Sequence, residues 1–288
     1  TLRVGRKRFE LFLMPGGKLE VTINLPEIFW SESHLFGKKE NGQLIWFEGT
    51  YAALNTELVK HAGLMNIYSA DNFYENICGV TPAQYKKYVT KIYEKNRGEI
   101  LKNKSLSDAA RTYMINKLEM SYFFAIRGYK GNISYAPMIS GKKGVKRADM
   151  TVDESYYDDI LELDFIHSPY IRYGSYPDFV RAATEDFKGK FEPQPVWEDI
   201  LRAKPLGSTL ARLKPLSEKQ MLTLDSISEP EIKKALTVKN KEVMDLLAES
   251  ANKTGYIVCQ LDTAVTADGL LAVVTRPYRG KVVLIDMW

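Results

Sequence analysis

Arg279-Gly280-Lys281-Val282-Val283-Leu284-Ile285-Asp286-Met287-Trp288 is the stretch on which the reading of the fold turns. A Gly-Lys pair leads into four consecutive apolar residues, then an acid, then Met287-Trp288. A continuous Val/Leu/Ile run bounded by a turn reads as a strand buried on both faces, the kind found inside α/β sheets. Asp286 is the anomaly, because a carboxylate inside such a run must find a partner or shift its pKa. Just upstream, residues 256–261 read as another strand and 268–278 as a helix that Pro277 ends. Strand, helix and strand in this order form a βαβ unit with parallel pairing and a right-handed crossover. An apolar strand left at a sheet edge invites association, so residues 282–285 are expected to pair with 256–261 or with a second copy.

The chain upstream is long enough, at 288 residues in all, for more than one domain. Its 45% hydrophobic and 26% charged content is ordinary for a soluble globular protein. A net charge of +4 is too small to argue for nucleic acid. No run approaches the roughly 20 apolar residues that cross a bilayer. Cys78 and Cys259 lie far apart and match neither metal nor redox spacing. They read as small buried hydrophobes, with a structural disulfide open to them in an oxidising compartment.

Residues 1–49 read as β. A strand over 9–14, a Pro15-Gly16-Gly17 turn, alternation at Leu19, Val21, Ile23 and Leu25, and a strand over 43–48 closed by Gly49 suggest part of a β-sandwich. Residues 50–252 read as helical. Thr81 with Pro82 opens one helix, whose Tyr85, Tyr88, Val89, Ile92 and Tyr93 recur opposite a lysine-rich face. Ser105 and Asp108 suggest a capping box for the next, ending near Arg127. A glycine-bearing loop is expected over 128–150, then helices over 153–163, 177–187, 195–203, 230–236 and 241–250, with a second capping box at Ser228 and Glu231. The predicted fold is therefore α+β in three parts: 1–49 as a sandwich portion, 50–252 as a helical region, and 253–288 as a βαβ segment.

The closing run resembles the first core strand of a thioredoxin-like domain of the TlpA/ResA type, where such a strand enters a Cys-x-x-C loop a few residues later. Met14-Pro15-Gly16-Gly17-Lys18-Leu19-Glu20-Val21-Thr22-Ile23, Phe47-Glu48-Gly49-Thr50 and Leu54-Asn55-Thr56-Glu57-Leu58 are similar, loosely, to motifs in leader domains of the same family. The resemblance implies the leader region of an envelope or periplasmic thiol–disulfide oxidoreductase, ending just before its cysteines. Such a chain is expected to show no exchange activity by itself. The implied partners are thiol- or disulfide-bearing proteins, without cofactor, metal or nucleic acid, and with membrane attachment through a lipoprotein leader lying outside this chain.

Within that resemblance Asp286 is the catalytic candidate, a buried acid accepting the proton of the resolving cysteine. Its bland alternative is a strand-end acid bonded to a backbone amide. Trp288 would pack beside the active-site loop, or serve as an ordinary core aromatic. The basic run over 141–147 lacks phosphate-loop spacing and reads as a solvated tip. His34, His61 and His167 fall in separate segments, so no metal site is expected. Asp158 and Glu162, one turn apart, could form a carboxylate pair, but with Asp159 and Asp164 they read as a wet helix face. Two other classes remain open: a non-catalytic envelope binding or scaffold module, and a thiol peroxidase.

Overall fold

Leu19, Val21 and Ile23 alternate with polar neighbours, and this period of two produces a strand with one side turned to a core. In the computed structural model, which describes residues 2–5, 7–13, 16–32, 43–142, 149–167, 175–251, 275–276 and 280, that strand spans Leu19–Ile23. The chain divides into two compact units, Thr1–Leu201 and Arg202–Trp288. It is α+β in composition: mostly helical, with short antiparallel sheets near its beginning.

The first unit opens with β1 (Leu2–Val4) and β2 (Lys7–Phe9), an antiparallel pair. The strand expected over 9–14 stops at Phe9. Next, β3 (Leu19–Ile23) pairs antiparallel with β4 (Ile45–Gly49), Val21 opposite Phe47. Asn24 N–H bonds to Leu44 O, and Thr50 N–H to Lys18 O, each at 2.9 Å. Antiparallel pairs alternate between bonded and non-bonded. Trp46 and Glu48 therefore bond toward β3, while Ile45 and Phe47 direct their amide and carbonyl groups to the opposite side of β4. Phe9, Ile28 and Ile45 form a buried cluster that both hairpins share.

Between β3 and β4 the chain forms α1 (Leu25–Glu32), which the β reading of residues 1–49 did not anticipate. Its signal is local: the Asn24 side chain accepts the Glu27 N–H at 3.2 Å, a cap placed just before Pro26. After β4 come α2 (Ala52–Lys60), 3-10 turns through Ser69, and α3 (Phe73–Asn76). Thr81 and Gln84 form a reciprocal capping box at the start of α4 (Pro82–Lys102).

The next helix, α5 (Asp108–Arg127), lies at the centre of this unit. Met114, Leu118, Phe123, Ala125 and Ile126 are fully buried, so no single stripe carries its packing. Phe123 alone meets the rings of Phe165, Phe179, Phe187 and Phe191 at centroid distances between 5.1 and 6.4 Å. Its N-cap is Ser107, which accepts the Ala110 N–H, rather than Ser105, which bonds to Asn103. Residues 129–140, expected as loop, form α6 (Tyr129–Ser140), because Tyr129, Ile133 and Ala136 return to the core at helical spacing despite Gly131 and Pro137. Gly141 ends it in the left-handed region, at φ +70°. The helix expected over 153–163 is a 3-10 turn, Glu154–Tyr157, followed by α7 (Asp158–Leu161), and α8 (Tyr176–Glu185) falls close to its expected place.

The second unit begins within α9 (Val196–Ala211), a helix that continues past Pro205 beyond its expected end. In it α10 (Glu218–Asp225) opens on a Ser217/Gln220 capping box. The two helices expected over 230–236 and 241–250 are one continuous α11 (Pro230–Ala251). Leu206, Leu210, Leu216, Leu224, Ile227 and Val243 form its core. Asn240 ties that core together by accepting the Leu216 N–H at 2.9 Å. The strands expected over 256–261 and 282–285, with most of the helix between them, lie outside the described residues.

Candidate functional site

Asn55 explains how the first hairpins are held against the helices. Its side chain is completely buried, accepts the Phe12 N–H at 2.7 Å and donates to Phe12 O at 2.9 Å and Tyr51 O at 2.8 Å. One amide side chain thus makes both bonds that a neighbouring strand would make. A salt bridge of Lys117 with Glu10, 3.0 Å long, adds a second tie from α5. Beside the Lys117–Glu10 tie lies a cleft of about 910 Å³. Phe9, Ile45 and Phe47 line it from the strands, Leu58 and Met65 from α2 and the turn beyond, and Phe124 from α5.

Asn66, Tyr68 and Ser121, polar residues lining this cleft, are held by hydrogen bonds, those of Tyr68 reaching Asn132 and Tyr85 behind the wall. Ser121 Oγ accepts the Ile67 N–H at 3.0 Å and donates to Asn66 Oδ1 at 3.2 Å. Asn132 donates to the hydroxyls of Tyr68 and Tyr85, and Tyr85 donates onward to Ala125 O at 2.9 Å. Burial pushes the Tyr68 and Tyr85 phenols above their usual range, so both stay protonated at neutral pH. Among the described residues, Lys7, Lys60, Lys117 and Glu10 are the charged ones that line the cleft, and Lys117 is paired with Glu10. Apolar walls and fixed hydrogen-bonding groups suit the capture of a partly apolar ligand.

A buried acid sits elsewhere on α5. Glu119 is nearly inaccessible and accepts the Phe165 N–H at 2.9 Å. Its carboxyl is pushed up, chiefly by burial and then by Asp164, against the opposing pull of that bond and of Arg97. Beside it Tyr93, its own pKa raised by burial to about 12, stacks on Tyr122 at 4.5 Å. Glu119 lines no cavity described here, and its chemistry is that of an anchor for the Asp164–His167 turn. The sequence signal was an acid in the middle of the otherwise apolar Leu118-Glu119-Met120 stretch.

A second, more open hollow of about 890 Å³ lies beside the N-terminal half of α4, with Lys86, Lys87 and Tyr156 on its walls. Lys86 is committed to Asp159 at 3.1 Å and to Tyr156 O at 2.8 Å.

Asp286 and Trp288, the two residues singled out from the closing run, lie outside the described residues, as do Cys259, His34 and residues 143–147 of the basic run. Cys78 is a free, partly buried thiol. His61 approaches Asn103 at 3.4 Å. Asp158, Asp159, Glu162 and Asp164 are exposed to solvent. No group of metal-ligating side chains occurs among the described residues, and no helix there is long and apolar enough to cross a membrane. No protein-family model, curated protein or solved structure matches the chain.

Proposed function

We propose that this chain is the leader, substrate-positioning region of a thiol–disulfide oxidoreductase of the cell envelope. In this reading residues 1–49 belong to a β-sandwich and 253–288 begin a thioredoxin-like domain. The observation that carries it is the sequence from Gly280 to Trp288, four consecutive apolar residues followed by one acid and then Met287-Trp288. In the complete protein the thiolate of a first cysteine attacks a client disulfide, forming a mixed disulfide and releasing one client thiolate. A second cysteine, its proton taken by Asp286, then attacks the mixed disulfide and releases the other client thiolate, leaving the client reduced and the cysteine pair oxidised; the same exchange run in reverse oxidises a client dithiol. Trp288 packs beside that pair, and the leader holds the client.

The test is dithiol–disulfide exchange measured on the gene product extended beyond Trp288. Expected is a Cys-x-x-C pair directly after Trp288, exchange that stops when its first cysteine becomes serine, and a rate whose pH profile moves in Asp286→Asn. An extended product without both cysteines, or without exchange, overturns the reading. A second reading, a non-catalytic module that binds a protein partner, is favoured by the cleft itself, whose fixed polar groups are suited to holding a ligand.

A further inference from the structure

We propose that Met244 is a reversible oxidation site, attacked by peroxides, whose sulfoxide is held by the side chain of Asn240. The proposal is independent of the oxidoreductase reading and concerns the second unit alone.

Asn240 lies about one helical turn before Met244 on α11, and its own oxygen orients its amide. Oδ1 accepts the buried Leu216 N–H at 2.9 Å, which turns Nδ2 the other way. There the amide nitrogen meets only sulfur, Met221 Sδ at 3.8 Å and Met244 Sδ at 3.9 Å. A thioether is a weak acceptor, so the two hydrogens of this buried group are spent on partners well below their capacity. The sulfurs differ in access. Met221 is partly buried against the core of the second unit, whereas Met244 is 53% exposed. Met138 on α6 is more open still, at 70%, but no hydrogen-bond donor meets it among the described residues. Exposure makes both Met138 and Met244 reactive, and the amide singles out Met244.

In the reaction a sulfur lone pair of Met244 attacks the hydrogen-bearing oxygen of a hydroperoxide. The S–O bond forms as the O–O bond breaks, and the leaving hydroxide or alkoxide takes the proton which that oxygen carried. Sulfur loses two electrons, and the peroxide is reduced to water or an alcohol. The new oxygen is a strong acceptor on a flexible, unbranched side chain, so it can turn onto an Nδ2 hydrogen that had only sulfur before. A sulfoxide formed inside a core disrupts it. Here the oxygen is added at an exposed side chain and finds an oriented donor beside it. Oxidation therefore tightens the tie that Asn240 makes between α11 and Leu216 instead of breaking it.

The 1–288 chain is treated with dilute hydrogen peroxide, mapped by peptide mass spectrometry and followed by hydrogen exchange. Met244 and Met138 are expected to oxidise well before the buried Met114 and Met120, and Met244 before Met221. Exchange of the Leu216 amide should then slow about fivefold, the factor that corresponds to one net hydrogen bond. Methionine sulfoxide reductases should restore the original rate. Met138→Leu should keep the effect, and Met244→Leu should remove it. Asn240→Asp retains an oxygen for the Leu216 N–H but has no amide hydrogens, so Met244 should still oxidise in it without slowing that exchange. Should this variant fail to fold, the two methionine variants decide. Met244 no more reactive than Met114, or Leu216 exchange that is unchanged or faster once Met244 is oxidised, overturns the proposal. So does a slowing that persists in Met244→Leu.

Discussion

Glu119 shows how a single residue couples the fold to pH. Its carboxyl titrates higher in the fold than in the unfolded chain, so ionising it costs the folded state free energy. That cost is absent in acid, where the group is protonated in both states. It grows as pH rises above the unfolded pKa and is complete once pH passes the folded one. Glu119→Gln keeps an acceptor for the Phe165 N–H without a charge. It should therefore be more stable than the parent at neutral pH, the difference closing as the solution is made acidic. Glu119→Leu, which leaves that buried N–H unpaired, should lose about 1–3 kcal/mol. Urea unfolding across a pH series measures both. Residue chemistry was only partly legible from sequence. An acid among apolar neighbours marks Glu119 as needing a partner, but its donor lies on Phe165, 46 positions away along the chain, and no local pattern points there.

At the scale of elements, Gly49 decides whether the β3–β4 hairpin can close. Its φ is +107°, and a Cβ there would stand 2.3 Å from Lys18 O and 3.2 Å from Lys18 C, backbone atoms with no freedom to move aside. Gly49→Ala should destabilise the first unit by at least the ~1–3 kcal/mol of such a backbone conformation, seen as a lower urea midpoint with the slope unchanged. Elements announced by local chemistry were legible: α4 by Thr81 and Pro82, β3 by strict alternation. Those that tertiary packing overrode were not. In α6, Gly131 and Pro137 speak against a helix, yet burial of Tyr129, Ile133 and Ala136 outweighs them. Across α11, Val238 and Lys239 gave no visible reason to continue, and the break placed near residue 237 does not occur because Asn240 and Val243 are drawn into one core.

Across the whole molecule, the second unit has an apolar core of its own in Leu206, Leu210, Leu216, Leu224, Ile227 and Val243. A chain with more than one core need not unfold in a single step, so one melting temperature is not a sufficient description of it. Leu224→Ala should cost about 2–5 kcal/mol within that unit, the range for emptying a fully buried leucine site. Hydrogen exchange should record it as lost protection in α10 and α11. The candidate cleft was not legible at this scale, because its walls come from segments as distant as Phe9 and Phe124.

Asn55 carries a consequence of a different kind, one of chemical ageing. Its Nδ2 gives its hydrogens to two carbonyl oxygens, at 2.8 and 2.9 Å. Spontaneous hydrolysis of that amide, Asn55→Asp, would set an anionic oxygen against both. The buried helix protects the amide while the chain is folded, so the damage accrues in copies that have opened. Each such lapse leaves a permanent mark that hinders reclosure, and a stored preparation would divide slowly into an intact population and one whose first hairpins no longer seat.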